Sequence, residues 1–266
     1  MTGATASARA TSQYATTTDN LTARMALHSY GTNPQSWFAW LGERLPLGGD
    51  VLEVGAGTGE LWHRVSHRGR LTLTDFSPAM CERLREVPDA RVLRCDATHL
   101  PFRAGVTDAV IANCMLYHLD DPDAALREFA RVLRPGGRLA VAVNGRDHLV
   151  ELDALGPAIG RPGLAVGLHQ NDVTAETTPA RVAAHFTDVT VERYPDELAV
   201  PAAEPILAYI TSMIGPLTAA QESAGRAAVE ARIDAEGAFR VRKHTVLISA
   251  TRGPNRPGRR HARRRA

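Results

Sequence analysis

Residues 51–61 read VLEVGAGTGEL, with Gly55, Gly57 and Gly59 at alternate positions directly after an apolar run. Glycines so placed let the backbone approach a ligand closely, because no Cβ intervenes. Two phosphate-binding readings fail. The dinucleotide fingerprint G-x-G-x-x-G needs its third glycine where this chain has Glu60, and a carboxylate there opposes an incoming pyrophosphate. A P-loop needs Gly-Lys-Ser/Thr, yet the only lysine of the chain is Lys243. The stretch suits a nucleoside-like ligand that carries no phosphate.

Such a loop has to be presented by a sheet, and the flanking pattern supplies one. DVLEVGAG reads as a short strand buried on both faces. LWHRVSHRG can form the next helix, ended by Gly69, and RLTLTDF a second strand. Ser77-Pro78 opens a helix over PAMCERLREV, and RVLRCDA and DAVIANCML follow as the third and fourth strands. Asp121-Pro122 caps a helix carrying Leu126, Phe129, Val132 and Leu133, RPGG stops it, and RLAVAVNG is a fifth strand. Before the glycines, Asn33-Pro34 signals a helix with Trp37, Phe38, Leu41 and Leu45 on one face. Strand–helix alternation over about 50–145 predicts a parallel α/β sheet with right-handed crossovers, whose ligands bind beyond the strands' carboxyl ends. Past 146 the chain is looser. DVTVERY is a strand, AEPILAYITSMI and TAAQESAGRAAVEARIDAEG are helices, and AFRVRKHTVLISA is a closing strand.

At this point the chain resembles the class I S-adenosylmethionine-dependent methyltransferases, of the small-molecule, type 11-like kind. VLEVGAGTG is similar to the family's first motif, and Asp75 ends the second strand in LTLTDFS. CDATHLPF resembles the segment around the adenine, and ANCMLYHLDDPDAALREFARVLRPGGRLAVAV the fourth and fifth strands with their helix. The resemblance covers about 45–145 and implies a doubly wound, mostly parallel seven-stranded sheet with helical lid insertions. It implies S-adenosylmethionine as cofactor. Gly55, Ala56 and Gly57 would give close backbone approach, Glu53 would accept from the ammonium, and Asp75 would accept from both ribose hydroxyls. Phe76 would pack on the adenine, Asp96 and the Ala97 amide would bond its edge, and Asn113 would meet the methionine part. Taken singly, Asp75 and Asp96 are equally readable as caps, and Gly59 as helix packing.

The reaction implied is an in-line methyl displacement that needs alignment and exclusion of water more than acid–base help. Tyr117 and His118 follow Asn113 and are the candidate catalytic or acceptor-contact pair, the alternative for His118 being a structural loop histidine. Arg24 or Tyr30 could reach the methionine carboxylate. The Asn/Asp-Pro-Pro-Tyr/Phe segment of the family's DNA and exocyclic-amine enzymes is replaced here by NCMLYH. That disfavours nucleic-acid bases and favours an N or O atom of a small molecule, with natural-product (antibiotic) biosynthesis as the expectation by analogy.

Composition bounds the rest. With 266 residues, 44% of them hydrophobic, a single large domain with a substantial core is within reach. No metal-binding spacing joins Cys81, Cys95 and Cys114, and no apolar run approaches the ~20 residues of a membrane span. The expectations are a cytoplasmic protein with reduced thiols, no metal and no membrane contact, as a monomer or homodimer. Residues 1–20 read as a disordered lead-in, 21–251 as the catalytic domain (cofactor half 45–145, acceptor and lid half 146–251), and 252–266 as a basic tail with seven arginines. Alternatives are a nucleic-acid-associated methyltransferase using that tail and a non-catalytic cofactor-binding regulator.

Overall fold

The computed structural model describes residues 19–166 and 172–254. The lead-in up to 18 and the tail from 255 lie outside the described residues. Strands β1 (Val51–Val54), β2 (Leu71–Asp75), β3 (Ala90–Arg94), β4 (Thr107–Asn113), β5 (Leu133–Asn144), β6 (Thr187–Tyr194) and β9 (Thr245–Thr251) form one seven-stranded sheet. Its order is β3-β2-β1-β4-β5-β9-β6, with β9 antiparallel to both neighbours. Successive residues of the central strands face opposite layers. Leu52, Val54, Val110 and Ala112 pack on one side with Leu126 and Phe129 of α4 (Pro122–Val132). Val51, Ala109 and Ile111 pack on the other with Trp40 of α2 (Trp37–Gly42) and Leu84 of α3 (Pro78–Leu84). Burial on both faces is why these strands are mostly apolar instead of alternating, with Glu53 of β1 a buried exception.

A second layer stands over the carboxyl ends of the strands. The two-stranded sheet of β7 (Glu197–Val200) and β8 (Phe239–Arg242) packs with α1 (Asp19–His28), α5 (Val150–Asp153), α7 (Ala203–Ile214) and α8 (Ala219–Glu236). Their side chains, among them Leu27, Leu152, Leu198, Ile206, Tyr209, Val229 and Phe239, make a core separate from the two sheet cores. The helix α8 is held at its start by a reciprocal Thr218–Gln221 capping box. The remaining helix, α6 (Thr178–Ala183), lies between the lid-side segment and β6.

Four sequence expectations are corrected. Residues 60–64 form turns and no helix. Gly59 has φ of +79° there, and the Trp62 indole is drawn back to donate to Glu53. The helix signal at Asn33 is displaced to Ser36, whose side chain caps α2, while Asn33 bonds Asp196 and Pro195. The helix before RPGG ends at Val132, and β5 begins already at Leu133, which the helix was expected to carry, so that RPGG lies inside the strand. The single closing strand is two, β8 and β9, interrupted at Lys243-His244, because its first half pairs with β7 in the lid and its second half with β5 and β6 in the main sheet.

Candidate active site

The sheet reverses its winding between β1 and β4, and the crevice outside their carboxyl ends is where an open α/β sheet binds ligands. A cavity of about 950 Å³ opens there. That lies at the top of the roughly 300–1,000 Å³ range of small-molecule sites, enough for a cofactor and a second small molecule together. The residues assigned from the sequence to the cofactor and the acceptor line it: Glu53, Gly55, Ala56 and Gly57, then Asp75, Phe76, Asp96 and Ala97, then Asn113, Tyr117 and His118.

The glycine loop is shaped by contacts at both ends. Gly55 and Gly57 have φ of +68° and +60°. A Cβ on Gly55 would stand 2.7 Å from Met115 Cβ, whereas a Cβ on Gly57 would meet nothing within 4 Å. Gly57 therefore leaves open space at the cavity wall. The Asp75 carboxylate ties the loop to β2, one oxygen accepting from the Gly57 amide at 3.0 Å and the other from the Ser77 amide at 2.8 Å. Each oxygen keeps lone-pair capacity for a further donor. Burial raises the Asp75 carboxyl above its ordinary value, and amides from Ser77, Gly57 and Phe76 oppose that rise. We expect Gly55→Ala to cost about 2 kcal/mol by forcing an alanine into the left-handed region against Met115, read as a lowered denaturation midpoint. A variant as stable as the parent would show the loop able to re-form around the methyl.

Glu53 is 2% exposed and accepts from the Trp62 indole N–H. Burial pushes its carboxyl up to about 8. Phe76, by contrast, is 53% exposed at the cavity rim, with the Arg94 guanidinium over its ring and Arg94 Nε donating to its carbonyl at 2.9 Å. Asp96 is exposed and accepts from the Thr98 amide and hydroxyl, both at 2.8 Å. Tyr117 and His118 occupy a 3-10 turn, Leu116–His118, with their rings edge to face at 4.6 Å. Between them and β4, Cys114 has φ of +55°, an unusual conformation for a side-chain-bearing residue, set at the cavity wall.

Arg24 and Tyr30 do not line the cavity. The Arg24 guanidinium donates instead to the Ser212 carbonyl at 3.0 Å and its hydroxyl at 3.4 Å, joining α1 to α7. Tyr30 packs against the lid core.

The opposite wall was not legible as a site. It comprises His28, Trp37, Asn144, His148, Tyr194, Asp196, Lys243 and Thr245. Here three connections between lid and sheet converge on Asp196. Its carboxylate accepts from Lys243 Nζ at 2.6 Å, in the β8–β9 link, and from the Asn33 amide at 2.9 Å, in the α1–α2 link, while Asp196 itself lies in the β6–β7 link. The side chains of Lys243 and Asp196 are 7% and 2% exposed. Lys243 Nζ also stands 4.9 Å over the Tyr194 ring. A fourth connection, after β5, is tied at His244, whose amide donates to His148 Nδ1 and whose ring meets Asp147 at 2.5 Å. The family resemblance reached this wall only through the lead-in before the first strand, which holds His28 and Trp37.

Compared with known proteins, the chain matches the methyltransferase domain family over residues 52–141. It is 41% identical over 116 residues to an uncharacterized methyltransferase of Mycobacterium tuberculosis, covering 42% of this chain and 47% of that protein. The chain thus spans about half the length of the first of its curated relatives. It is 32% identical over 164 residues to a phosphatidylethanolamine N-methyltransferase of Cereibacter sphaeroides, covering 55% of this chain and 81% of that one. In structure it is similar to the [4+2]-cyclase SpnF, with a TM-score of 0.61, 23% identity and coverage of 95% and 98%, a likeness of fold alone.

Proposed function

Since the chain belongs to the class I S-adenosylmethionine-dependent methyltransferases, we propose that it transfers a methyl group to an N or O atom of a small molecule. The observation that carries this is the single cavity spanning both the glycine loop with Asp75 and the lid-side wall. When bound, the cofactor supplies an electrophilic methyl on a sulfonium. The residues present fit it. Asn113 Oδ1 is enclosed and without a partner among the described residues, Gly57 leaves its Cβ space open, and Asp75 retains acceptor capacity. We assign Asp75 to the ribose hydroxyls, Phe76 to the adenine face, Asp96 and Ala97 to its edge, and Glu53 and Asn113 to the methionine end. Tyr117 and His118 face the acceptor. The lid wall keeps bulk water from the transfer.

Among the described residues no helix is long and apolar enough to cross a membrane. A cytoplasmic role in natural-product biosynthesis is part of the same proposal, of which the scale of the cavity supports the small-molecule acceptor alone. The first experiment is calorimetric titration with S-adenosylmethionine, S-adenosylhomocysteine and NAD. Binding of both adenosyl compounds and not of NAD is expected, and the reverse would overturn the assignment. Binding without turnover on any acceptor would favour the non-catalytic regulator.

Glu53 gives a pH signature. With its carboxyl at about 8, the free protein holds Glu53 protonated at neutral pH. The ammonium of the ligand favours the ionised form, so binding should expel a proton. Affinity for S-adenosylhomocysteine should therefore rise from pH 6 to pH 8, by up to about tenfold per unit for one full proton. Stability moves the other way. The fold keeps a proton that the unfolded chain loses above the ordinary carboxylate value, so stability falls as pH rises toward about 8. Glu53→Gln should flatten both profiles; an unchanged affinity slope in that variant would remove Glu53 from the ammonium site.

A further inference from the structure

Three buried side-chain polar atoms have no hydrogen-bond partner among the described residues, and two of them, Asn113 Oδ1 and His28 Nδ1, belong to cavity residues. Asn113 lies at the end of β4, beside the glycine loop. His28 is the last residue of α1, in the lid, and faces the same cavity from the other wall. An enclosed polar atom left unpaired costs on the order of 1–3 kcal/mol, so a ligand that satisfies it gains in proportion.

The surroundings of His28 define what that ligand is. Its ring stacks on His148 at 6.1 Å and meets Tyr209 edge-on at 6.4 Å. Burial and the nearby Lys243 charge hold the imidazole down to about 4, so it is uncharged at neutral pH. Among the described residues the lysine or arginine on the His28 wall is Lys243, and it is paired with Asp196. Arg64, paired with Glu60 at 2.9 Å, and Arg94, bonded through Nε to the Phe76 carbonyl, stand with the glycine loop and Phe76 instead. The Tyr194 hydroxyl donates to the Gln35 carbonyl at 2.6 Å. A phosphate or carboxylate on the acceptor would enter with no uncommitted cation on this wall to meet it, and desolvating such a charge without a partner is costly. The carboxylate that this wall offers an ammonium is Asp196, and it is already shared between Lys243 and the Asn33 amide.

We propose that His28 is an acceptor-contact residue, and that the acceptor is an uncharged, largely apolar molecule whose hydroxyl hydrogen-bonds the His28 imidazole. This rests on the methyltransferase reading of the cavity. It narrows that reading to O-directed recognition and excludes phosphorylated amines as acceptors.

The test uses the full chain saturated with S-adenosylhomocysteine, titrated calorimetrically with 2-naphthol, cyclohexanol, phosphoethanolamine and dimethylethanolamine. The uncharged hydroxyl probes are expected to bind and the two charged ones not. His28→Phe should weaken 2-naphthol binding about tenfold, the size of one lost hydrogen bond, while S-adenosylhomocysteine binding changes less than twofold. His28→Asn, which keeps a donor and an acceptor, should recover part of the loss. A merely structural His28 would move both affinities together or neither. Preferential binding of phosphoethanolamine or dimethylethanolamine, no binding of either hydroxyl probe, or 2-naphthol binding indifferent to His28→Phe would each overturn the inference. Failure to bind S-adenosylhomocysteine at all would instead bring down the reading of the cavity, and this inference with it.

Discussion

Asp75→Ala is expected to weaken S-adenosylhomocysteine binding by at least about 100-fold. Two charge-assisted hydrogen bonds to ribose hydroxyls are worth about 1.5–3 kcal/mol each, and each 1.4 kcal/mol is a factor of ten. The substitution also frees the Gly57 and Ser77 amides that the carboxylate now holds at 3.0 and 2.8 Å. Part of the loss is therefore a loosened loop rather than a missing ligand contact. Asp75→Asn separates the two. Its one oxygen can hold the Gly57 or the Ser77 amide but not both, so it should loosen the loop less than alanine does and bind about tenfold or more weakly. Calorimetry on both variants, beside their thermal midpoints, makes the comparison. Asp75→Ala binding within a few-fold of the parent would remove Asp75 from the cofactor site.

Lys243→Met is expected to destabilise the fold by about 3 kcal/mol. The ammonium and the Asp196 carboxylate are 7% and 2% exposed, and removing one partner strands the other's charge in a desolvated site. The Asn33 amide still donates to Asp196 and the cavity admits some water, which is why the lower end of the usual 3–5 kcal/mol range applies. Asp196→Asn in the Lys243→Met background should restore most of the loss, because no uncompensated charge remains. Denaturant unfolding of the two single variants and the double one closes the cycle. A Lys243→Met protein within 1 kcal/mol of the parent would mean that the pair is hydrated and does not clamp the lid.

Where sequence reasoning reached and where it stopped has a physical basis. The cofactor half was legible because its information is local. The alternation of apolar strand and amphipathic helix spells a parallel sheet with right-handed crossovers over contiguous residues, while its winding in both directions, seen in the order β3-β2-β1-β4-β5, was implied only by the family resemblance. Gly55, Gly57, Asp75, Asp96 and Asn113 stand at strand ends that one sheet brings together; spacing left Asp75 and Asp96 readable as caps, and it was the family resemblance that assigned all five to one site.

Tertiary contacts decided the rest. A helix after Gly59 agreed with local propensity, but the buried Glu53 captured the Trp62 indole and the segment turned. AFRVRKHTVLISA reads as one strand, yet its halves serve two sheets, and only pairing with β7 on one side and with β5 and β6 on the other could break it at Lys243. The lid-side wall gathers His28, His148, Asp196 and Lys243 from four separate segments. No periodicity links positions so far apart. What joins them is the cost of leaving a charge or a polar atom unpaired in a dry place, and that cost exists only once the lid is folded over the sheet.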